Sequence, residues 1–108
     1  MLDAVVSVDG LGPVATAPFS TTGTNELLLA FASSDAHNLQ TVTISGGGLS
    51  WTLVQRANGS PGTAEIWKAV APGPLANVVV QSVQAETGMR QSLTVMAFLG
   101  AGGTGCPH

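Results

Sequence analysis

The sequence predicts an all-β chain, an antiparallel β-sandwich of Ig-like or jelly-roll-like type with about eight strands. Three observations carry this. Val, Ile, Leu and Thr alternate with small polar residues in short runs, the period-two pattern of half-buried strands. Clusters of Gly, Pro, Asn and Ser break these runs about every ten residues, the spacing of a sandwich or barrel. No window of adequate length has an apolar period of ~3.6 residues, so no amphipathic helix competes.

The strands are read in order as Asp3–Val8, Val14–Phe19, Glu26–Ser33, Gln40–Ser45, Ser50–Ala57, Thr63–Val70, Asn77–Gln84 and Gln91–Leu99. Asp9 to Pro13 reads as a turn, with glycine available for positive φ and proline fixing its own φ. Thr21 to Asn25 is a second turn. Gly46-Gly47-Gly48 ends a strand by removing side chains to pack. Asn58 to Gly62 lies between two strongly β-prone runs and reads as a hairpin loop. Ala71-Pro72-Gly73-Pro74 fits neither a strand nor a helix interior, and Thr87-Gly88 marks the last break. Glu26 to Ala32 has residues of good helix propensity. It is short and follows a Thr/Gly turn, so it is assigned as a strand buried on both sides. In the predicted hairpin, Trp51 and Leu53 alternate against Thr52, Val54 and Arg56, while Glu65, Trp67 and Ala69 alternate against Ala64, Ile66 and Lys68. The two tryptophans are expected to anchor the core, with Phe31, Leu93, Val95 and Phe98 behind them.

The chain has 108 residues, one domain's worth and enough for one hydrophobic core. The domain is placed at 3–100, with a Gly-rich tail at 101–108 that reads as an appended segment. Charged residues make up 8% of the chain, against roughly 25% on average, so the surface must be covered by Thr, Ser, Gly, Gln and Asn. Such neutral surfaces suit an extracellular or cell-surface β domain. The three cations, Arg56, Lys68 and Arg90, are too few and too scattered to displace counterions from phosphate, which excludes nucleic acid. They also disfavour an anionic membrane surface. No apolar run approaches the ~20 residues of a membrane helix. No basic segment followed by an apolar one precedes the first strand, so no signal peptide is read, and Met1 reads as the start of an excised segment. The single Cys106 makes no internal disulfide.

Several segments carry a resemblance: Phe19–Phe31 (FSTTGTNELLLAF), Val42–Val54 (VTISGGGLSWTLV), Gly62–Pro72 (GTAEIWKAVAP) and Gln91–Phe98 (QSLTVMAF). Together they resemble a recurrent β-sandwich accessory module of large secreted and cell-surface bacterial proteins, found there beside fibronectin-III-like, PKD-like and glycan-active domains. The resemblance spans about Asp3 to Gly105. It implies an extracellular accessory role beside neighbouring domains. It implies no catalytic residues and no particular ligand.

The residues themselves offer little catalytic chemistry. Nucleophilic catalysis needs Ser or Cys with a base and an orienting acid. The histidines are His37 and His108, and no Gly-x-Ser-x-Gly elbow occurs. A long cleft for paired carboxylates is not expected of so small a domain. The non-catalytic reading is therefore adopted. For metals, the tight cluster is Asp35 with His37, and a plain turn is the simpler reading. A structural calcium ion would draw on Asp3, Asp9 and Asp35 with loop carbonyls. For a glycan, Trp51 or Trp67 would be the platform, with Gln55, Arg56, Glu65, Asn38 and Gln40 as polar partners. Lys68 mid-strand is compatible with an intramolecular Lys–Asn/Asp cross-link, but a solvated lysine is the simpler reading. Asn58-Gly59-Ser60 matches an N-glycosylation pattern and reads as a turn.

Charge-poor strands at Gln40–Ser45 or Asn77–Gln84 are expected to offer edges for self-association or for docking a neighbouring module. The resulting expectation is a structural, spacer or adhesion module of a bacterial surface or secreted protein. The alternative is a carbohydrate-binding module with an exposed tryptophan platform.

Overall fold

The computed structural model describes residues 1–37, 39–59 and 61–100. Asn38, Ser60 and the 101–108 tail, with Cys106 and His108, lie outside the described residues. Eight strands form two antiparallel sheets: β1 (Leu2–Leu11), β2 (Val14–Ala15), β3 (Glu26–Ser34), β4 (Val42–Gly46), β5 (Thr52–Ala57), β6 (Thr63–Ala71), β7 (Val80–Gln84) and β8 (Arg90–Phe98). The larger sheet has the order β1-β8-β3-β6-β5 and the smaller β2-β7-β4. The predicted sandwich is the fold observed.

Alternation builds the core. The inner face of β3 presents Leu28, Ala30 and Ala32, and that of β8 presents Leu93, Val95 and Ala97. Across the gap stand Val14, Val42, Ile44 and Val80 from the smaller sheet. The many alanines on the larger sheet leave room for the branched side chains of the smaller one. Interdigitation of this kind fills a sandwich core at normal density.

The core changes character along its length. At the end where β1 finishes and β8 begins, inward positions are polar. Gln40, Gln84 and Gln91 are buried there with Ser34, Thr63, Glu65 and Ser82. Their amides hold loops. Gln91 Nε2 donates to Gly12 O at 2.6 Å and to Ser82 O at 3.2 Å. Gln84 Nε2 donates to Met89 O at 2.8 Å and to Ser34 Oγ at 2.7 Å. Gln40 Nε2 donates to Glu86 O at 2.9 Å and Asp35 O at 3.1 Å. A buried amide that spends its donors on loop carbonyls replaces the water those carbonyls would otherwise need. These three glutamines, assigned by composition to the surface, are thus internal pins.

Four expectations about the strands need correction. β1 runs on through Asp9 and Gly10 to Leu11, because Leu11 still pairs with Arg90 of β8. The second predicted strand is only Val14–Ala15, followed by an isolated bridge from Phe19 to Val78. β3 is not buried on both sides: its outer positions become exposed from Phe31 onward. The segment around β7 is not an edge, since β7 lies between β2 and β4.

Candidate functional site

The hairpin β5–β6 shows where the tryptophans went. Both indoles are half-buried and pack on the core margin. Trp51 lies just before β5 and donates from Nε1 to Gly46 O at 3.1 Å. Trp67 donates from Nε1 to Glu65 Oε1 at 2.8 Å. Each indole therefore points its polar edge into the protein.

Simple alternation puts Arg56 on the face opposite Trp67. The register shows otherwise: Leu53 pairs with Trp67, Gln55 with Ile66 and Arg56 with Glu65, with a bulge at Val54. The extra residue flips the following positions to the other face. Arg56 turns inward and meets Glu65, while Gln55 turns outward. Arg56 Nε donates to Glu65 Oε2 at 2.7 Å and Nη2 to Oε1 at 3.1 Å, a bidentate pair. The Glu65 side chain is fully buried. It also accepts from Thr63 Oγ1 at 2.9 Å and from Val42 N at 3.0 Å. Burial pushes the Glu65 carboxyl up, but Arg56, Trp67, the Val42 N–H and Thr63 together hold it below the ordinary glutamate value.

This cluster closes the free edge of β4. Val42 gives its N–H to Glu65, and its carbonyl accepts from Arg56 Nη2 at 3.3 Å. Gln40 O accepts from Asn58 Nδ2 at 2.8 Å. Gly46 O takes the Trp51 indole. Side chains of the larger sheet stand where a neighbouring strand would pair, so the Gln40–Ser45 segment is a covered edge. The larger sheet's own edges are β1 and β5.

The structure thus brings Trp67, Arg56 and Glu65 together as an internal joint, and sets Gln55 on the opposite face. Asp35 and His37 lie on the exposed segment after β3. His37 meets Glu86 through Nδ1 to Oε2 at 3.0 Å and backbone N–H to Oε1 at 3.1 Å. Asp35 lies among the loop residues, its carbonyl taken by Gln40. No group of three or more His, Cys, Asp or Glu residues suited to a metal ion occurs among the described residues. Lys68 is exposed and sits three residues from Glu65, hence on the opposite face of β6.

The open surface is the outer face of the larger sheet. Its register sets side chains in rows across the five strands. One row is Asp9, Ser92, Ser33, Ala64 and Ala57; the next is Ser7, Thr94, Phe31, Ile66 and Gln55. A third row is Val5, Met96, Leu29, Lys68 and Thr52. Phe31, expected in the core, is 37% exposed at the centre of this face. Two hollows of about 580 and 420 Å³ lie over the first two rows and share Ser33, Ala57, Ala64 and Ser92 as lining. They form one groove. Gly59 and Pro61 line its outer side, and Asp9, Asp35 and Arg90 stand along one end. Across the floor, Ser33 and Ser92 share a hydrogen bond of 2.9 Å, and Thr94 shares one of 2.8 Å with Ser7 beside the groove.

The groove and the chain ends lie at opposite ends of the sandwich. Leu99 N donates to Met1 O at 2.7 Å, so the two ends of the fold leave side by side. From there β1 runs away to Asp9 and Gly10, which border the groove. Comparison with protein-family models, curated proteins and solved structures gives no match for this chain.

Proposed function

We propose that the chain is a non-catalytic, extracellular display or adhesion module whose working surface is the groove end of the larger sheet. One observation carries this reading. Residues 1 and 99 pair at one end of the fold, while the groove lies at the other. Connections to neighbouring domains would leave together and hold the groove outward. A spacer in series, the other form of structural module, needs its connections at opposite ends. Support for the extracellular setting comes from the charge-poor composition and the module resemblance. Support for a non-catalytic role comes from how Glu65 and Arg56 are used: both are spent on joining the two sheets.

Pulling the molecule through its two ends tests the reading. Force applied at Met1 and Leu99 would peel β1 from β8 one residue pair at a time, so unfolding is expected at low force. High resistance, of the kind given by strands loaded in shear, would make the module a load-bearing link and overturn the display reading.

A further inference from the structure

We infer that the distal groove binds an extended, neutral oligosaccharide. The inference rests on the display reading and names the ligand class of that surface. The two adjoining hollows, about 580 and 420 Å³, each fall within the ~300–1,000 Å³ of ordinary ligand sites. They share Ser33, Ala57, Ala64 and Ser92 as lining and so open into one another, which gives room for more than one sugar ring.

The floor has the chemistry of sugar recognition. Phe31 presents an exposed ring midway along it, and the C–H face of a pyranose stacks on such a ring. Ser33 and Ser92 spend one hydroxyl hydrogen between them, as do Ser7 and Thr94. Each pair keeps one O–H and several lone pairs for a ligand, matching sugar hydroxyls that both donate and accept. Gln55 adds an amide at the far side. Ala57 and Ala64 keep the floor low, so a ring can approach.

The same floor disfavours the rival ligands. A peptide adds to a sheet through unpaired backbone at an edge. The central floor strands β8, β3 and β6 have neighbours on both sides. A polymer of one charge would meet both signs, from Asp9 and Asp35 against Arg90. Trp51 and Trp67 lie on the core margin and are not among the residues that line the groove.

The test uses the whole chain, titrated with cellohexaose, xylohexaose, mannohexaose, laminarihexaose and N-acetylchitohexaose and followed by amide chemical shifts. At least one hexaose is expected to give saturable shifts centred on Phe31, Ser33, Ser92 and Thr94. Phe31→Ala should weaken that binding about tenfold, the loss of one aromatic stacking contact. Thr94→Val should weaken it severalfold, and it serves as the second variant should Phe31→Ala fail to fold. Absence of such shifts with all five at millimolar concentration overturns the inference, even for a chain that unzips at low force as the display reading requires. Shifts centred on Trp51 and Trp67, or saturable binding of an extended valine-rich peptide at the β5 edge without any hexaose binding, overturn it equally.

Discussion

Replacing Arg56 by Met should be the most damaging single change on the half-exposed margin of this domain. The Glu65 carboxylate is fully buried and holds two N–H bonds from Arg56. Arg56→Met removes both and the countercharge. Three neutral donors remain, from Trp67, Thr63 and Val42. Removing one partner of a buried ion pair costs about 3–5 kcal/mol, because the other charge stays desolvated. The Arg56 side chain is 29% exposed, so water can enter where it stood, which favours the lower figure, ~3 kcal/mol. The Val42 carbonyl loses its side-chain donor as well. In a domain of this size each kcal/mol moves Tm by ~5 °C, so a fall of roughly 15 °C is expected. Urea unfolding at pH 7 with linear extrapolation, beside a thermal scan, reads it directly. Replacing both partners, Arg56→Met with Glu65→Leu, should recover much of the loss, since no buried charge is left. A loss in the single variant below ~1 kcal/mol, the worth of a surface pair, would refute the joint as a buried structural element. So would a double variant no better than the single.

Three further predictions address other parts of the fold. Gln40→Ala removes the buried amide that ties the Asp35 and Glu86 carbonyls, and a loss of ~2–4 kcal/mol is expected from the orphaned groups, measured by urea unfolding. Gly62→Ala should cost at least ~2 kcal/mol on the same measure, because Gly62 has φ +99° and an added Cβ would lie 2.7 Å from Ser34 O. Glu26 is buried, and burial, reinforced by the Asp3 carboxylate hydrogen-bonded and charged beside it, pushes its carboxyl above the ordinary value against the Gly23 N–H. A raised carboxyl stabilises most below its unfolded pKa and loses that contribution as pH rises through the folded pKa. Glu26→Gln should therefore raise Tm more at pH 8 than at pH 4, and an equal shift at both would contradict the assignment.

The strands were legible because period and punctuation agree along the chain. Each strand of the larger sheet falls close to its expected place, and the Gly46-Gly47-Gly48 break ends β4 as the loss of side chains requires. The faces were less legible than the strands. On β5 one chemically ordinary residue, Val54, decides them. The bulge at Val54 shifts the alternation by one, and nothing in Leu53-Val54-Gln55-Arg56 marks Val54 as the extra residue. One signal was present: Arg56 and Glu65 are the opposite charges of the predicted hairpin, and pairing them demands a register that simple alternation forbids. The buried glutamines were hidden for a related reason. Gln40, Gln84 and Gln91 have polar side chains, and composition alone sends polar side chains outward. Loop carbonyls that need a donor inside the fold reverse that preference, and those carbonyls are visible only once the loops are placed.

The same reversal locates the candidate site. A core whose buried amides, Gln40, Gln84 and Gln91, all lie near the groove has a mechanical consequence. Packed alanine and valine hold strands together without fixing loops, whereas each buried glutamine fixes a named loop carbonyl at a set distance. Gly12, Asp35, Glu86 and Met89 are held this way, and all four lie at the groove end. A surface for binding needs such preorganisation, because ordering loops at the moment of contact would subtract from affinity. Buried polar groups are a poor means of gaining stability alone. Their concentration at one end therefore argues for a rigid recognition surface there. The tryptophans brace the core margin in the same way, through Gly46 O beside β4 and the Glu65 carboxylate on β6.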